Sequence, residues 1–574
     1  MNNGLTDALI EANDVASLGQ LLERAVKASM QNLPPPTSYR STSLWYVLTT
    51  AEDMQRMIIG DEHAALDGMT LTLFIDQIKY SLRFAIDSVA VTTNNSAAAA
   101  IPRLVKGKSY LRAVALLKAG DQQRAARTML SAERAGLITL QRIGAHITAI
   151  PTSLKHDPRY SCLEMYSQGP PQQGYSALVR HWTHFPDSGD QVIAVIIRAT
   201  KRHGIRITYP YSALLGNMIR PRQSGVAPVI PPGWLFSWGT GVEARDLLEA
   251  LAIRCAYHHF SIAGRAQLDK IAGGGVDQLL LVIHEAELAR DLSETAHASI
   301  EQSIGFVRDL THGAGTSHPD VALQPIVTLH DSLVGIPCLF YLTSNFERNL
   351  LSLQARIDKR RFDEQSHAFE RRMVDDLKRW AEERWDVARC NVTVRARGQQ
   401  EEVDLFIVDF ASKTISACEL RWMLQPGDPN EIHNRITVCR EKATQLQRKL
   451  TFLHSVGIEY LLNRLGITMP SDGWVLRGVV IVEGYGGSAS ELSTIPVVPT
   501  SIFKQVCERS STLAQACDFL TSLSWLPQES MHFTLGPVEA ELGPWKLETP
   551  GIHINASYET YEKYVDATFE TTMR

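Results

Sequence analysis

Hydrophobic and polar positions alternate in three different ways along the 574-residue chain. Residues 1–150 place small and apolar side chains at helical spacing, which predicts a mainly helical domain. Residues 151–350 contain strand-like runs, VIAVIIRAT from Val192 and LLLVIH from Leu279, between helical segments. This mixture predicts an α/β domain of unknown role. Residues 351–574 have the most regular pattern and are predicted to form a third domain. The expected fold class is therefore a multidomain protein of mixed α/β and α structure.

The stretch from Tyr110 to Leu137 carries small and apolar residues at helical spacing around a turn at Gly120 and Asp121. It resembles one tetratricopeptide unit, but such units are stable only when several of them stack. An ordinary helical hairpin is therefore the favoured interpretation of this stretch.

In the last third of the chain, the pattern changes several times between helical and strand spacing. The predicted order is a helix, three strands, a helix and a strand, followed by terminal helices. The predicted bounds are a helix at 361–385, strands at 392–396, 403–408 and 414–420, a helix at 430–453, and a strand LRGVVIVEGY from Leu476. The second and third strands flank DFASKT, which has the composition of a tight turn.

Two carboxylates are expected to meet in this hairpin. If Asp409 and Thr414 close the turn, Asp404 lies directly across from Glu419 on the same face. Like charges in that position destabilise a sheet, and their burial is costly unless a cation joins them. Carboxylate oxygens at this spacing suit Mg²⁺ or Mn²⁺. A slip of one residue would place the two carboxylates on opposite faces.

Arg421 falls on the same face in this register, opposite Glu402. The two side chains could form a surface ion pair, which would contribute up to about 1 kcal/mol.

These residues resemble the PD-(D/E)xK nuclease superfamily, which has the restriction-endonuclease-like fold, over about residues 361–527. Asp404 matches the first acidic position, Glu419 matches the second, and Arg421 falls where that family has a lysine. A glutamate on the preceding helix often completes the set, and Glu370 is similar to it. The resemblance implies Mg²⁺- or Mn²⁺-dependent hydrolysis of phosphodiester bonds, with Asp404, Glu419 and Glu370 as metal ligands.

The missing lysine has three explanations. Arg421 could stabilise the charge on the phosphate, although a guanidinium with a pKa above about 12 cannot carry a proton. Alternatively, the amine has moved to the next helix, where Lys442 and Gln445 flank an apolar stripe, as is known within the superfamily. In the third explanation the site has decayed, and the domain only binds its partners.

Contact with nucleic acid requires local basic side chains, because the formal net charge is -5. Two predicted helices supply candidates for contacts with phosphates. These are Arg360, Arg361, Arg371 and Arg372 on one helix, and Arg435, Arg448 and Lys449 on the other. Acidic residues are interleaved with them, so both helices could equally be solvated faces with local ion pairs.

Composition restricts the location and chemistry further. The eight cysteines form no C-x-x-C pair, which favours a reducing compartment over a disulfide framework or a structural zinc site. The N-terminus has no basic segment before an apolar core, so no signal peptide is expected. No apolar window is long enough for a clean membrane span. We therefore expect a cytoplasmic protein with no membrane partner.

The sequence thus predicts a metal-dependent nuclease, with DNA favoured as its substrate. Residues 1–350 would act as a sensor or bind a protein partner, and the resemblance implies a role in bacterial defence against phage. The alternative is a catalytically inactive, nuclease-like scaffold or nucleic-acid-binding protein. The nuclease hypothesis requires Asp404 and Glu419 to lie on one side of the sheet. It would also fail if protein cations already neutralised them and left no room for a phosphate.

Overall fold

The coordinates are a computed structural model. The residues that it describes are 18–59, 68–93, 101–152, 157–167, 191–219, 229–271, 273–396, 398–424, 429–483, 494–556 and 558–573. Residues 1–17, to which the expectation of no signal peptide applies, lie outside them. Among the described residues, no helix combines the length and the apolar content required to span a lipid bilayer.

The structure is mixed α/β. Its α-helices are α1 (Leu18–Asn32), α2 (Arg40–Ile59), α3 (Gly68–Thr92), α4 (Gly107–Arg134), α5 (Pro158–Ser167), α6 (Gln191–Ala199), α7 (Ala213–Met218), α8 (Gly241–His259), α9 (Arg265–Leu268), α10 (Glu285–Ala296), α11 (Ile300–Leu310), α12 (Cys338–Leu342), α13 (Phe346–Ile357), α14 (Lys359–Glu382), α15 (Pro429–Val456), α16 (Ile458–Leu465), α17 (Thr500–Arg509), α18 (Leu513–Ser522) and α19 (Tyr558–Met573). A π-helical turn, Phe260–Gly264, joins α8 to α9, and a 3-10 turn spans Val276–Gln278.

The strands belong to four sheets. They are β1 (Ile138–Ile143), β2 (His146–Pro151), β3 (Lys201–His203), β4 (Arg206–Thr208), β5 (Leu281–His284), β6 (Val327–His330), β7 (Leu333–Ile336), β8 (Val387–Ala396), β9 (Gln399–Asp409), β10 (Thr414–Trp422), β11 (Val475–Glu483), β12 (Val497–Pro499), β13 (Phe533–Leu542) and β14 (Trp545–Ile554). The sheet orders are β1-β2-β14-β13, β12-β11-β10-β9-β8, β3-β4 and β5-β7-β6.

The chain forms two compact units instead of the three domains expected at 1–150, 151–350 and 351–574. The first unit contains Met1–Arg127, Pro170–Phe362 and Leu542–Pro544, and the second contains Thr128–Gly169, Asp363–Glu541 and Trp545–Arg574. The predicted boundary near residue 350 lies close to the observed division. The boundary at 150 was wrong, because residues 128–169 belong to the same unit as the C-terminal third.

Two local predictions in the first unit were wrong. The stretch from Tyr110 forms one continuous helix, α4, without the expected turn at Gly120. A Cβ atom at Gly120 would lie 2.7 Å from the Cα atom of Ser81 in α3, so the glycine permits close packing of two helices. The run from Val192 is helix α6 and not a strand. A short apolar run does not distinguish a buried helix from a buried strand.

The five-stranded sheet of the second unit has apolar side chains on both faces. Strands β8, β9 and β10 are antiparallel, whereas β11 and β12 run parallel to β10. On one face, Leu405 and Leu420 pack with residues of α14, α17 and α18. On the other face, Phe406 and Ala417 pack with residues of α15 and α16. Because side chains of a strand alternate between faces, each strand divides its apolar residues between two helical layers.

The element order as far as β11 and the hairpin register that were predicted for this unit are confirmed, whereas only helices were predicted after β11 and the structure also has β12, β13 and β14 there. A helix, three strands, a helix and a strand follow in order as α14, β8, β9, β10, α15 and β11, with the short α16 before β11. Thr414 pairs with Asp409, and the same register continues to Cys418 and Leu405. The last two residues of the predicted strand LRGVVIVEGY, 484 and 485, lie outside the described residues.

Candidate functional site

Asp404 and Glu419 lie on the face of the sheet that packs against α15. Phe406 and Ala417, each two residues away along its own strand, belong to the apolar cluster on that face. Glu419 is fully buried, and Asp404 is partly exposed, with its Oδ2 atom accepting a 2.8 Å hydrogen bond from the Leu420 amide. The register therefore brings both carboxylates to one side of the sheet, as the sequence predicted.

Lys442 of α15 bridges the two carboxylates. Its Nζ atom lies 3.4 Å from Glu419 Oε2 and 3.8 Å from Asp404 Oδ2. The hypothesis that the amine has moved to this helix predicted a lysine near the acidic pair at this position. The ammonium group also marks a place between the two carboxylates where a cation fits.

Lys449, one of the predicted phosphate contacts, is instead a member of this cluster. Its Nζ atom lies 2.5 Å from Glu419 Oε1, and the residue is buried. Lys449 follows Lys442 by seven residues, which is about two helical turns, so both lysines lie on one side of α15. That spacing was the sequence signal that could have placed Lys449 in the site.

The charge state of Glu419 results from opposing influences. Burial, and then the neighbouring charge of Asp404, raises the pKa of Glu419 above its ordinary value, while Lys449 and Lys442 lower it. The two acids and two lysines have formal charges that sum to zero. Protein cations therefore already balance both carboxylates, which is one part of the condition under which the nuclease hypothesis would fail.

Arg421 binds the glutamate of the preceding helix. Its Nη1 atom donates a 2.9 Å hydrogen bond to Glu370 Oε2. The ion-pair partner is therefore Glu370 and not Glu402, which lies opposite Thr393 in the β8–β9 pairing. A glutamate and an arginine that were both assigned to the catalytic site thus neutralise each other beside it.

Gln445 is directed toward a different feature of α15, a groove of about 670 Å³. The residues that line this groove are Leu137, His433, Ile436, Thr437, Arg440, Glu441, Thr444, Gln445 and Arg448. No contact of Gln445 with the acidic pair is found in the part of the chain that the structure describes. Its predicted catalytic role therefore has no geometric support here.

The basic residues proposed to contact phosphates have different surroundings. Arg360, Arg371 and Arg372 on α14 are exposed. Arg448 is also exposed, and it forms a 3.1 Å ion pair with Glu401. These four residues can be reached by a ligand in solution.

Three members of the same predicted set are engaged with the protein. Arg361 donates to the carbonyl of Phe236 at 3.1 Å. Arg435 is buried, with Nη1 3.7 Å from Glu164 Oε1, and burial lowers the pKa of its guanidinium. Arg435 and the buried Lys449 are therefore corrected from surface phosphate contacts to internal counter-ions.

Among the three predicted metal ligands, Asp404 and Glu419 meet at the Lys442 ammonium, whereas Glu370 pairs with Arg421. Within the described ranges, no three histidine, cysteine, aspartate or glutamate side chains are grouped as a metal site would require. Hard cations such as Mg²⁺ bind carboxylates and retain several water molecules, so two protein ligands are compatible with such an ion. The bridging Lys442 ammonium occupies the position that such a cation would take.

No family model, curated protein or solved structure matches this chain.

Proposed function

We propose that this protein is a metal-dependent nuclease that hydrolyses phosphodiester bonds, with DNA as its substrate. The observation that carries the proposal is the convergence of Asp404, Glu419 and Lys442. Two carboxylates on neighbouring strands share one lysine ammonium at 3.4 and 3.8 Å. The order helix, three strands, helix, strand supports the same proposal, because the PD-(D/E)xK fold places its site on this framework.

Asp404 and Glu419 would hold Mg²⁺ or Mn²⁺ through their carboxylate oxygens. When bound, such an ion lowers the pKa of a bound water and stabilises negative charge on a phosphoryl oxygen. The Leu420 amide holds Asp404 in place through its hydrogen bond to Oδ2. Lys442 would donate hydrogen bonds from its ammonium group to the phosphate, where negative charge develops.

Glu370 and Arg421 would act beside the reacting atoms and not on them. Their 2.9 Å ion pair joins α14 to β10 at the position where the family has its lysine. The exposed Arg371 and Arg372 follow Glu370 on α14 and would bind the phosphates of the substrate.

A second candidate function is a non-catalytic nucleic-acid-binding scaffold. The observation that favours it is the pairing of every acidic member of the predicted site with a protein cation. Glu419 pairs with two lysines, Asp404 lies 3.8 Å from Lys442, and Glu370 pairs with Arg421. A decayed nuclease site is expected to lose its need for a metal in this way.

The two functions are distinguished by a cleavage assay on the intact protein. Wild type, Asp404→Asn and Glu419→Gln are incubated with supercoiled plasmid and Mg²⁺ or Mn²⁺. A nuclease nicks the plasmid only when metal is present, and both variants lose at least about 100-fold in rate. Cleavage that persists in both variants would reject this site. Metal-independent DNA binding by all three proteins without cleavage supports the scaffold.

A further inference from the structure

The two oxygen atoms of the Glu419 carboxylate are divided between two lysines. Oε1 lies 2.5 Å from the Nζ atom of Lys449, and Oε2 lies 3.4 Å from that of Lys442. Only Oε2 is on the side shared with Asp404, because Lys442 is the residue that also approaches Asp404. The carboxylate thus has one oxygen committed to a buried ammonium and one directed toward its acidic neighbour.

The two lysines differ in how easily each side chain can move away from Glu419. The side chain of Lys449 is 5% exposed, and it makes the shorter contact. The side chain of Lys442 is 18% exposed, and its two contacts are longer. Removing Lys449 would leave a fully buried carboxylate without its close partner, which is strongly unfavourable. Lys442 is the more exposed and more loosely held of the two, so it is the one that a metal ion can displace from between the carboxylates.

We infer that Lys449 is a built-in counter-ion that keeps Glu419 Oε1 away from metal, so that the site binds a single divalent ion through Oε2 and Asp404. This inference rests on the proposed function, because it assumes that the acidic pair binds a metal. Lys449 is a positioning residue in this scheme, and Lys442 is the group that the ion displaces. Lys449 therefore supplies the positive charge that a second metal ion would otherwise provide.

A consequence of this arrangement is weak metal binding. The cluster of two acids and two lysines is neutral before an ion arrives, so a divalent cation is attracted less than it would be to two unpaired carboxylates. Loss of the Lys449 charge leaves Glu419 in need of a cation. Metal affinity should then increase by about tenfold or more, which corresponds to the removal of one nearby positive charge.

The experiment counts Mn²⁺ bound to the intact protein by electron paramagnetic resonance of the free ion. The specific site is defined as the Mn²⁺ that is lost in Asp404→Asn. The proteins compared are wild type, Lys449→Met and Lys413→Met, with circular dichroism as the check of folding. Lys413 lies in the β9–β10 turn, where its Nζ atom donates to the Asp472 carbonyl, so its replacement removes a lysine without touching Glu419.

One specific Mn²⁺ in wild type, at least tenfold tighter binding in Lys449→Met, and less than a twofold change in Lys413→Met support the inference. Two specific ions in wild type overturn it and leave the proposed nuclease function intact. Unchanged affinity in a folded Lys449→Met overturns it in the same way. Zero specific ions overturn the inference and the metal-dependent function together. If Lys449→Met does not fold, a wild-type count other than one still overturns the inference.

Discussion

Arg421 donates a hydrogen bond to Glu370 at 2.9 Å, across the gap between strand β10 and helix α14. Arg421, which lies where the nuclease family that the sequence resembles has a lysine, is therefore held by a glutamate partner and not by the acidic pair on the sheet. The amine near Asp404 and Glu419 comes instead from Lys442 on α15. This division of roles is chemically reasonable, because a guanidinium is suited to a fixed ion pair and an ammonium to a mobile one.

The first prediction concerns which of these cations supports cleavage. Lys442→Met should lower the rate of plasmid nicking by about 100-fold, since it removes a donor to developing negative charge. Arg421→Met should lower it less than about tenfold, because that side chain acts through Glu370. Initial rates at saturating Mg²⁺ measure both effects. A larger loss of rate in Arg421→Met than in Lys442→Met would indicate that Arg421, and not Lys442, stabilises the developing charge.

The second prediction concerns the stability of the second unit. Glu419→Leu should lower the free energy of unfolding by about 3 kcal/mol, because it leaves Lys449 buried without its counter-ion. Lys449→Met alone should have a similar cost. The double variant should be more stable than the sum of the two losses by about 1 kcal/mol or more. Urea denaturation followed by circular dichroism measures the cycle, and simple additivity would contradict the pairing.

The third prediction concerns acid sensitivity in the first unit. His258 is buried, with Nδ1 2.6 Å from the Tyr209 hydroxyl and Nε2 3.0 Å from the Gln278 carbonyl. A carbonyl only accepts, so Nε2 carries the proton and donates to it, and Nδ1 accepts from Tyr209. Burial, together with the nearby charge of Arg254, lowers the pKa of His258 to about 3.

The unfolded chain therefore binds a proton near pH 6.5 that the folded protein does not bind. Stability is fully present above that pH and decreases as the pH falls toward 3. The loss from His258 should reach about 2 kcal/mol at pH 5. His258→Gln should reduce by that amount the difference between urea unfolding free energies at pH 7.5 and pH 5. His259, whose pKa burial lowers to about 4, should preserve part of the acid sensitivity.

The fourth prediction concerns nucleic-acid binding. Replacement of the exposed Arg371 and Arg372 by alanine should weaken DNA binding and reduce the slope of log affinity against log salt by up to about 2. Arg379→Ala provides a matched control on the same helix, because that arginine already pairs with Asp376. Fluorescence anisotropy with labelled DNA over a range of salt concentrations measures the slope. An equal effect of Arg379→Ala would contradict a specific role of Arg371 and Arg372 in DNA binding.

The hairpin and its carboxylates could be predicted because local rules determine them. A single tight turn after Asp409 and a period of two on each strand fix the register, and the register fixes which face carries Glu419. The position of Lys442 followed from the apolar stripe of α15. These features depend on residues that are close in sequence, and the structure reproduces them.

The depth of Lys449 could not be predicted in the same way. It depends on how closely α15 approaches the sheet, and a glycine on a different strand contributes to that close approach. A Cβ atom at Gly478 would lie 2.6 Å from Leu450 Cδ1, so the absent side chain lets the helix pack tightly there. The role of residues 128–169 was missed for a similar reason, since their contacts are with residues far along the chain.

Helix α5, from the first of the three segments in the second unit, places Glu164 beside the buried Arg435 and donates a hydrogen bond from Tyr160 to the Val497 carbonyl. A gene truncated to begin near residue 351 would lack Glu164 and Tyr160. The buried Arg435 would then lose its acidic neighbour, and β12 would lose its contact with Tyr160. The C-terminal third of the chain therefore does not contain the whole second unit. A recombination event, or a protein engineer, would have to transfer two distant stretches of the gene to move it.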